Sequence, residues 1–297
     1  MLDIVALGTS GSTPTKERNL PSFAIIYEGD ILLFDCGEGT QMQMLKFGIN
    51  PVKVKAIFLS HTHGDHVIGV AGLVRTMSMA GRQDPLLIFV PSGYESTVNN
   101  LLVFDKALLR FPIVIKGVRK GKVYEAKSYA VYAFRLNHTI PTYGYVFKEN
   151  DRLHFVAEKA KKLGIKGPMF SELQMKKRLK VGGRVVRLEE VSWVEPGKKI
   201  VYATDTRPSK ETIKAAMGAD LLIHEAAYAS SEKKLAKERK HSTAEEAASI
   251  AKQAKAKMLV LTHISARHRE ASVLEKEARK IFKNAHIAYD GMKIHIR

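Results

Sequence analysis

The sequence predicts an α/β fold with sheets inside and helices outside. Three observations carry that expectation. Short apolar runs alternate with turn residues, helical patterns separate the later runs, and metal-ligand side chains stand just past the runs' carboxyl ends.

The chain opens on Met1-Leu2-Asp3-Ile4-Val5-Ala6-Leu7-Gly8, a strand pattern. With an acid at position 3 and no basic segment before a long apolar run, the start from Met1 does not read as a signal peptide. Gly8-Thr9-Ser10-Gly11-Ser12 is glycine-rich, but no Gly-Lys-Ser/Thr follows, so it is not a nucleotide P-loop. Residues 23–27 and 31–35 flank Glu28-Gly29-Asp30 and read as a hairpin. Residues 41–47 read as a short helix closed by Gly48. A buried strand is expected over 56–60 and a helix over 67–79. Further strands are expected at 86–90, 131–136, 199–203, 221–223 and 258–261. Ser242-Thr243-Ala244-Glu245 reads as a capping box opening a helix over 244–257.

With 297 residues, 45% of them hydrophobic, the chain can bury a large core. One domain over 1–297 is expected, carrying an insertion at 148–190. That insertion is basic and glycine-dotted, with helical stretches at 156–163 and 171–179 around Gly164-Ile165-Lys166-Gly167-Pro168. It reads as a two-helix arm rather than a separate domain. The lone Cys36 excludes an internal disulfide and reads as a small buried residue. No run approaches the roughly 18 uninterrupted apolar residues of a membrane helix, so a soluble cytoplasmic protein without a membrane partner is expected.

The net charge of +18 draws polyanions by long-range field and counterion release. Half of it sits in residues 159–187, where ten Lys and Arg face the single acid Glu172, a net of +9. A second basic run, 233–240, leads into His241.

The segment His61-Thr62-His63-Gly64-Asp65-His66 sets three imidazoles and a carboxylate within six residues, a ligand set suited to zinc. It leaves the strand over 56–60 at once, so its ligands hang from a rigid strand end. The i, i+2 spacing lets His61 and His63 share one metal, while Asp65 and His66, beyond Gly64, turn to a second. His138, Asp205 and His263 each follow an apolar run in the same way. In layered α/β folds that rim is where ligands bind. The seven groups suffice for two metals sharing one carboxylate. Two such cations, ~3.5–4 Å apart, activate a water and clamp an in-line displacement at phosphorus. Loss of a sugar alkoxide still needs a proton donor. His241 is the candidate, and Glu225, after the run 221–223, could orient it by a carboxylate–imidazole bond. His154, His286 and His295 read as surface or strand-edge residues, and His224 as a packing neighbour of Glu225. His268 fits more than one role.

Through residues 61–66 the chain resembles the metallo-β-lactamase fold superfamily. Four further stretches make it similar to the ribonuclease Z family, the tRNA 3′ endonucleases, in its short form. They are Gly8-Thr9-Ser10 with Pro14-Thr15-Lys16-Glu17-Arg18-Asn19; His138-Thr139-Ile140-Pro141-Thr142-Tyr143-Gly144-Tyr145; Leu163-Gly164-Ile165-Lys166-Gly167-Pro168-Met169-Phe170; and Asp205-Thr206-Arg207-Pro208 followed by His224-Glu225-Ala226 and His241-Ser242-Thr243.

The resemblance implies a four-layer αββα sandwich with an inserted basic arm. It implies two zinc ions per subunit, with other divalent cations able to substitute: one on His61, His63 and His138, the other on Asp65, His66 and His263, bridged by Asp205. Asp65 would accept the proton of the attacking water, and His241, assisted by Glu225, would donate one. Lys16, Arg18 and Asn19 would lie near the RNA acceptor end, and Ser265 and Arg267 would bind phosphate near the cut. The arm, with Gly167 and Pro168, would grip the body of a precursor tRNA. A homodimer is implied, as are a tRNA 3′-hydroxyl and a trailer 5′-phosphate. Two positions depart from the family pattern: Thr204 and His268 stand where glycine and tyrosine are expected.

Rival readings make different demands. A small-molecule phosphodiesterase, lactonase or thioester hydrolase on the same centre has no use for the +9 segment. A non-catalytic RNA-binding protein would not keep all seven ligand positions. An arm that docks protein would give tRNA binding only a shallow salt dependence.

Overall fold

The apolar runs form two seven-stranded sheets in the computed structural model, which describes residues 2–103 and 109–296. Met1, the start of the expected first strand, lies outside them. The first sheet runs Lys293–Ile296, Leu2–Gly8, Ser22–Tyr27, Asp30–Phe34, Val54–Phe58, Leu86–Pro91, Ile113–Val118. The second runs Ala285–Ile287, Leu259–Thr262, Leu221–Glu225, Lys199–Ala203, Tyr143–Glu149, Tyr129–Arg135, Gly121–Glu125. Hairpin strands pair antiparallel, whereas strands joined through helices pair parallel, as from Lys199–Ala203 to Leu221–Glu225 to Leu259–Thr262.

The central strands, such as Asp30–Phe34, Lys199–Ala203, Leu221–Glu225 and Leu259–Thr262, are buried on both faces, which is why they read as runs rather than alternations. One face of each sheet meets the other through Phe23, Phe34, Phe58, Tyr145, Phe147 and Tyr202. Phe34, Phe58 and Phe89 stack in a ladder, with centroids 5.2 and 4.8 Å apart. Removing the middle ring, Phe58, would cost about 3–5 kcal/mol. The outer face of the first sheet packs Leu33 and Ile57 on Met44 of helix Thr40–Lys46 and on Leu73 and Met77 of helix Gly69–Met79. The outer face of the second packs Val201, Leu222 and Leu261 on helix Ala244–Gln253, whose small Ala247, Ala248 and Ala251 permit close approach, and on Leu274 of helix Ser272–Ile281. The result is the four-layer αββα sandwich.

Some local expectations are corrected. The helix expected over 67–79 forms two pieces, Gly64–Val67 and Gly69–Met79. Gly69 donates to the Cys36 carbonyl, and a Cβ there would collide with the Gly37 carbonyl at 1.9 Å. The capping box lies one residue further on than expected: Thr243 caps and Glu246 answers. Ser242 is committed elsewhere, donating from its N–H to Glu225 and from its hydroxyl to the Thr206 carbonyl. That helix stops at Gln253 rather than at 257, because Lys255 turns left-handed at φ 51° and Lys257 donates to the Ala219 carbonyl.

Residues Glu149–Lys198 form a compact unit of their own. Helix Ala157–Lys162 lies in the first expected stretch; the second helix, Met169–Lys176, is shifted towards the N-terminus from the expected 171–179, because Lys177 turns left-handed at φ 62° and strand Arg178–Val181 begins. The expected end at 190 is too early, because Ser192–Glu195 returns to pair with Arg152–Phe155. A hairpin, Arg178–Val181 with Arg184–Arg187, turns at Gly182 and Gly183, whose positive φ of 55° and 86° suits glycine. Ala160, Ile165, Leu173, Val186, Leu188 and Val191 bury a small hydrophobic centre. The insertion is thus three helices, the third the single turn Leu188–Val191, plus two β-ribbons around a core, more than a bare two-helix arm.

Candidate metal centre and active site

His61, His63, His138, Asp205 and His263 lie just past strand ends, and Asp65 and His66 in the short helix Gly64–Val67 that follows strand Val54–Phe58, so the two sheets set their spacing. Asp205 and His263 follow strands Lys199–Ala203 and Leu259–Thr262 in left-handed backbone, at φ 56° and 57°. Such a conformation costs a non-glycine residue about 1–3 kcal/mol and persists only where the surroundings enforce it. Here it turns both side chains towards the histidine cluster.

His61 Nε2 lies 2.9 Å from His63 Nδ1, which lies 3.3 Å from His138 Nε2. Asp205 Oδ2 faces this group, 3.6 Å from His61 Nε2 and 3.7 Å from His138 Nε2. The other oxygen, Oδ1, faces His66 Nε2 at 3.3 Å and His263 Nε2 at 3.2 Å. Asp65 Oδ2 lies 3.4 and 3.5 Å from those same two nitrogens. A tetrahedral zinc ion with bonds of ~2.0–2.1 Å separates its donor atoms by about 3.3 Å. Most of the spacings match donors arranged around an ion better than they match hydrogen bonds. The buried nitrogens His66 Nε2 and His263 Nε2 have no hydrogen-bond partner although carboxylate oxygens stand within 3.5 Å. The seven residues thus fall into two sets that could each hold a cation, with one oxygen of Asp205 turned to each set.

The electrostatics differ between the ligands: against burial, Asp205, Asp35 and Asp65 raise His66 well above its usual pKa. Burial drives His61 well below its usual pKa and lowers His138, leaving neutral nitrogens ready to ligate. Burial opposes charge on Asp205, but His263, His66 and His61 hold it well below the carboxylate range. Asp65 is lowered likewise, against burial, by His66 and His263.

A shell of partners orients these ligands. Ser60 Oγ meets His61 Nδ1 at 2.9 Å. Asp35 Oδ2 meets His66 Nδ1 at 2.8 Å and also accepts from the Ser60 and Tyr202 hydroxyls. The Lys240 carbonyl meets His138 Nδ1 at 3.2 Å. Thr204, where the family pattern has glycine, donates its hydroxyl to Asp205 Oδ1 at 3.0 Å. The glycine-rich loop belongs to this shell as well. A Cβ on Gly11 would meet His263 Nδ1 at 2.7 Å, and the Ser12 N–H donates to Asp65 Oδ2 at 3.0 Å. Sequence reasoning missed Asp35, which reads as a strand end, and assigned Gly11 and Ser12 no role at the centre, although Gly8-Thr9-Ser10 contributed to the family resemblance.

His241 Nδ1 lies 3.0 Å from Glu225 Oε1. Glu225 is wholly buried, and its two oxygens also accept the Thr206 and Ser242 N–H groups. Burial works against a charge on His241, but the Glu225 carboxylate prevails and raises its pKa to about 9. His241 also comes within ligand distance of Asp205 and His263. With Nδ1 committed to Glu225, Nε2 is the nitrogen left to face the cleft. His63, Asp65, His138, Tyr228, His241 and Arg267 line that cleft, a cavity of about 450 Å³.

The remaining candidates divide. Lys16 is exposed beside a second cavity of about 500 Å³, which Arg18, Ser265, His268 and Arg269 also line. Arg18 Nη1 is tied inward, donating to Thr9 Oγ1 and the Ala288 carbonyl. Asn19 is pinned to the Glu38 carbonyl and to Asp290. Arg267 rests over the Tyr228 ring and pairs with Glu232 at 3.0 Å, its Nε donating to Ser265. His268, the other departure, lies 2.9 Å from Glu232. Gly167 and Pro168 are exposed in the separate unit 149–198, at the start of helix Met169–Lys176. His224 is buried beside Glu225, as expected, with Nδ1 on the Glu225 carbonyl.

A four-layer αββα sandwich with a split histidine–aspartate centre at the ends of its strands defines a metal-binding hydrolase of the beta-lactamase superfamily. A beta-lactamase superfamily domain model matches residues 176–264, and a model described as anti-Pycsar protein Apyc1 matches residues 2–165. The chain belongs to the ribonuclease Z family. It is 42% identical over 300 residues to ribonuclease Z of Methanosarcina acetivorans, covering 100% of this chain and 98% of that one. It is 42% identical over 299 residues to ribonuclease Z of Pyrococcus horikoshii, covering 100% and 96%. The crystal structure of human tRNase Z, short form, superimposes with a TM-score of 0.70 at 26% identity, over 99% of both chains. Among the described residues no helix is long and apolar enough to cross a membrane.

Proposed function

We propose that the chain is a zinc-dependent endoribonuclease that removes the 3′ trailer from precursor tRNA. The observation that carries this reading is Asp205, whose two oxygens face two separate histidine sets at the floor of an open cleft. His61, His63 and His138 would hold one cation, Asp65, His66 and His263 the other, and Asp205 both. Two divalent cations bound there lower the pKa of a water and neutralise charge on the phosphate oxygens.

The protein's own groups move the protons. Asp65, kept ionised, accepts one from the water as its oxygen bonds to phosphorus. The bond from phosphorus to the ribose 3′ oxygen breaks, and protonated His241 delivers a proton to that oxygen. Glu225 holds the imidazole in place and keeps it charged. The products are a tRNA 3′-hydroxyl and a trailer with a 5′-phosphate.

The insertion would bind the tRNA body through Lys and Arg on its surface, with Gly167 and Pro168 at the head of its second helix. Lys16 and Arg267 would meet RNA near the cut. Arg18, Asn19 and Ser265 would act there by shaping the loops that carry them. A homodimer is supported by an apolar face: Met42, Leu45, Ile68 and Met79 are exposed on or beside the neighbouring helices Thr40–Lys46 and Gly69–Met79. A cytoplasmic site of action fits that substrate.

The test is incubation with a 3′-extended tRNA precursor, mapping the cut to the nucleotide with and without chelator. A single cut at the trailer junction that chelator abolishes is expected. An intact precursor, or cleavage indifferent to chelator, would overturn the reading.

A further inference from the structure

The segment Lys240–Thr243 carries His241 but belongs to no helix or strand, so something must hold it. Glu225 and the capping box grip part of it. A further grip comes from Arg207, two residues past Asp205. Its Nη1 donates to the His241 carbonyl at 2.5 Å and to Glu246 Oε2 at 2.7 Å, while Nη2 donates to Glu246 Oε1 at 2.5 Å. Both side chains are largely shielded, 16% and 14% exposed. Paired, planar bonds of this kind fix orientation as well as distance. Glu246 in turn accepts the Thr243 N–H at 3.0 Å. The Arg207 N–H donates to the Asn137 carbonyl, next to His138. Arg207 therefore ties the backbone of His241, through its guanidinium, to the loop bearing Asp205 and, through its own N–H, to the loop bearing His138.

We infer that Arg207 and Glu246 form a clamp that sets the position of His241 for proton delivery to the leaving ribose oxygen. They are positioning residues: neither lines the cleft. Lys240, left-handed at φ 61°, closes helix Lys233–Glu238, with the Lys240 and His241 N–H groups on the Lys237 and Ala236 carbonyls, so backbone bonds hold the entry to the segment and Arg207 holds the His241 carbonyl beyond it. Loss of the clamp lets the imidazole drift, and a misplacement near 1 Å costs about a hundredfold in rate.

The inference rests on His241 as the proton donor, and the experiment separates the two claims. Glu246→Gln is the sharper variant. Glutamine serves in a capping box as glutamate does, so the Thr243 cap survives while the ionic, two-bond pairing with Arg207 is lost. Arg207→Lys keeps the charge but not the fork. Each variant, with His241→Ala as reference, is assayed on a 3′-extended tRNA and on bis(p-nitrophenyl) phosphate, whose leaving group departs without a proton. Glu246→Gln and Arg207→Lys should lower kcat on the RNA by about ten- to a hundredfold with KM within about twofold. Turnover of the chromogenic diester should stay near wild type, and circular dichroism and metal content should be unchanged. If His241→Ala shows the selective RNA defect but neither clamp variant does, the clamp is refuted and the donor stands. If His241→Ala impairs both substrates alike, or neither, the donor assignment falls. Equal loss of both activities in a clamp variant with altered metal content would show a merely structural role and overturn the inference.

Discussion

His66 turns its Nδ1 onto Asp35 Oδ2 at 2.8 Å, with both side chains completely shielded from solvent. The two residues are 31 positions apart, Asp35 just past strand Asp30–Phe34 and His66 in helix Gly64–Val67 beyond strand Val54–Phe58. Asp35 also accepts the Ser60 N–H at 2.7 Å, so it fixes the start of the ligand segment as well as its end. Asp35→Asn keeps the shape but loses acceptors on one side. Partners of this kind shift metal affinity by about 10–100-fold. Competition against a graded chelator series should show that weakening, with the melting temperature less affected than in Asp35→Ala.

Glu225→Gln should lower kcat on precursor tRNA by about a hundredfold or more, the range of general acid catalysis. The pH profile gives a further sign. Glu225 raises the pKa of His241, so the protonated donor is present below that pKa and lost as pH rises through it. Removing the negative charge lowers the pKa, and the alkaline limb should move to lower pH. A limb that moved upward, or stayed, would dissociate the limb from His241.

Neutralising Lys161, Lys162, Lys166, Lys180 and Arg187 should weaken binding of precursor tRNA and flatten its salt dependence. Every phosphate that is no longer neutralised reduces the slope of log K against log salt by about 0.7–0.9. All five are exposed and lie outside the small centre formed by Ala160, Leu173 and Val186. Hydrolysis of a small chromogenic phosphodiester should be spared.

Cys36 is fully buried, and burial, partly offset by Thr40, pushes its thiol up to about 12. The native protein should therefore resist a thiol reagent at pH 8 and react only on unfolding. Rapid labelling of the folded chain would contradict this packing.

Ligands were legible where local pattern carried them. The 61–66 segment announces itself, and His138, Asp205 and His263 share a position just past an apolar run. What sequence hid is pairing at a distance. Nothing near Asp35 indicates that it faces His66. The capping box slipped by one residue because Ser242 answers to Glu225 and Thr206, far away in the chain. Arg18 and Asn19 look like free RNA-binding groups until Thr9, Ala288, Glu38 and Asp290 are seen to hold them. The insertion's end was misplaced because Ser192–Glu195 has meaning only against Arg152–Phe155.

The most direct test of the two-cation centre is a zinc titration of chelator-stripped protein, reading bound metal and precursor tRNA cleavage together. Cleavage should return as binding approaches two ions per chain, and His63→Ala should lose cleavage while retaining tRNA. Full cleavage by metal-free protein, or undiminished turnover by His63→Ala at trace metal, would contradict it.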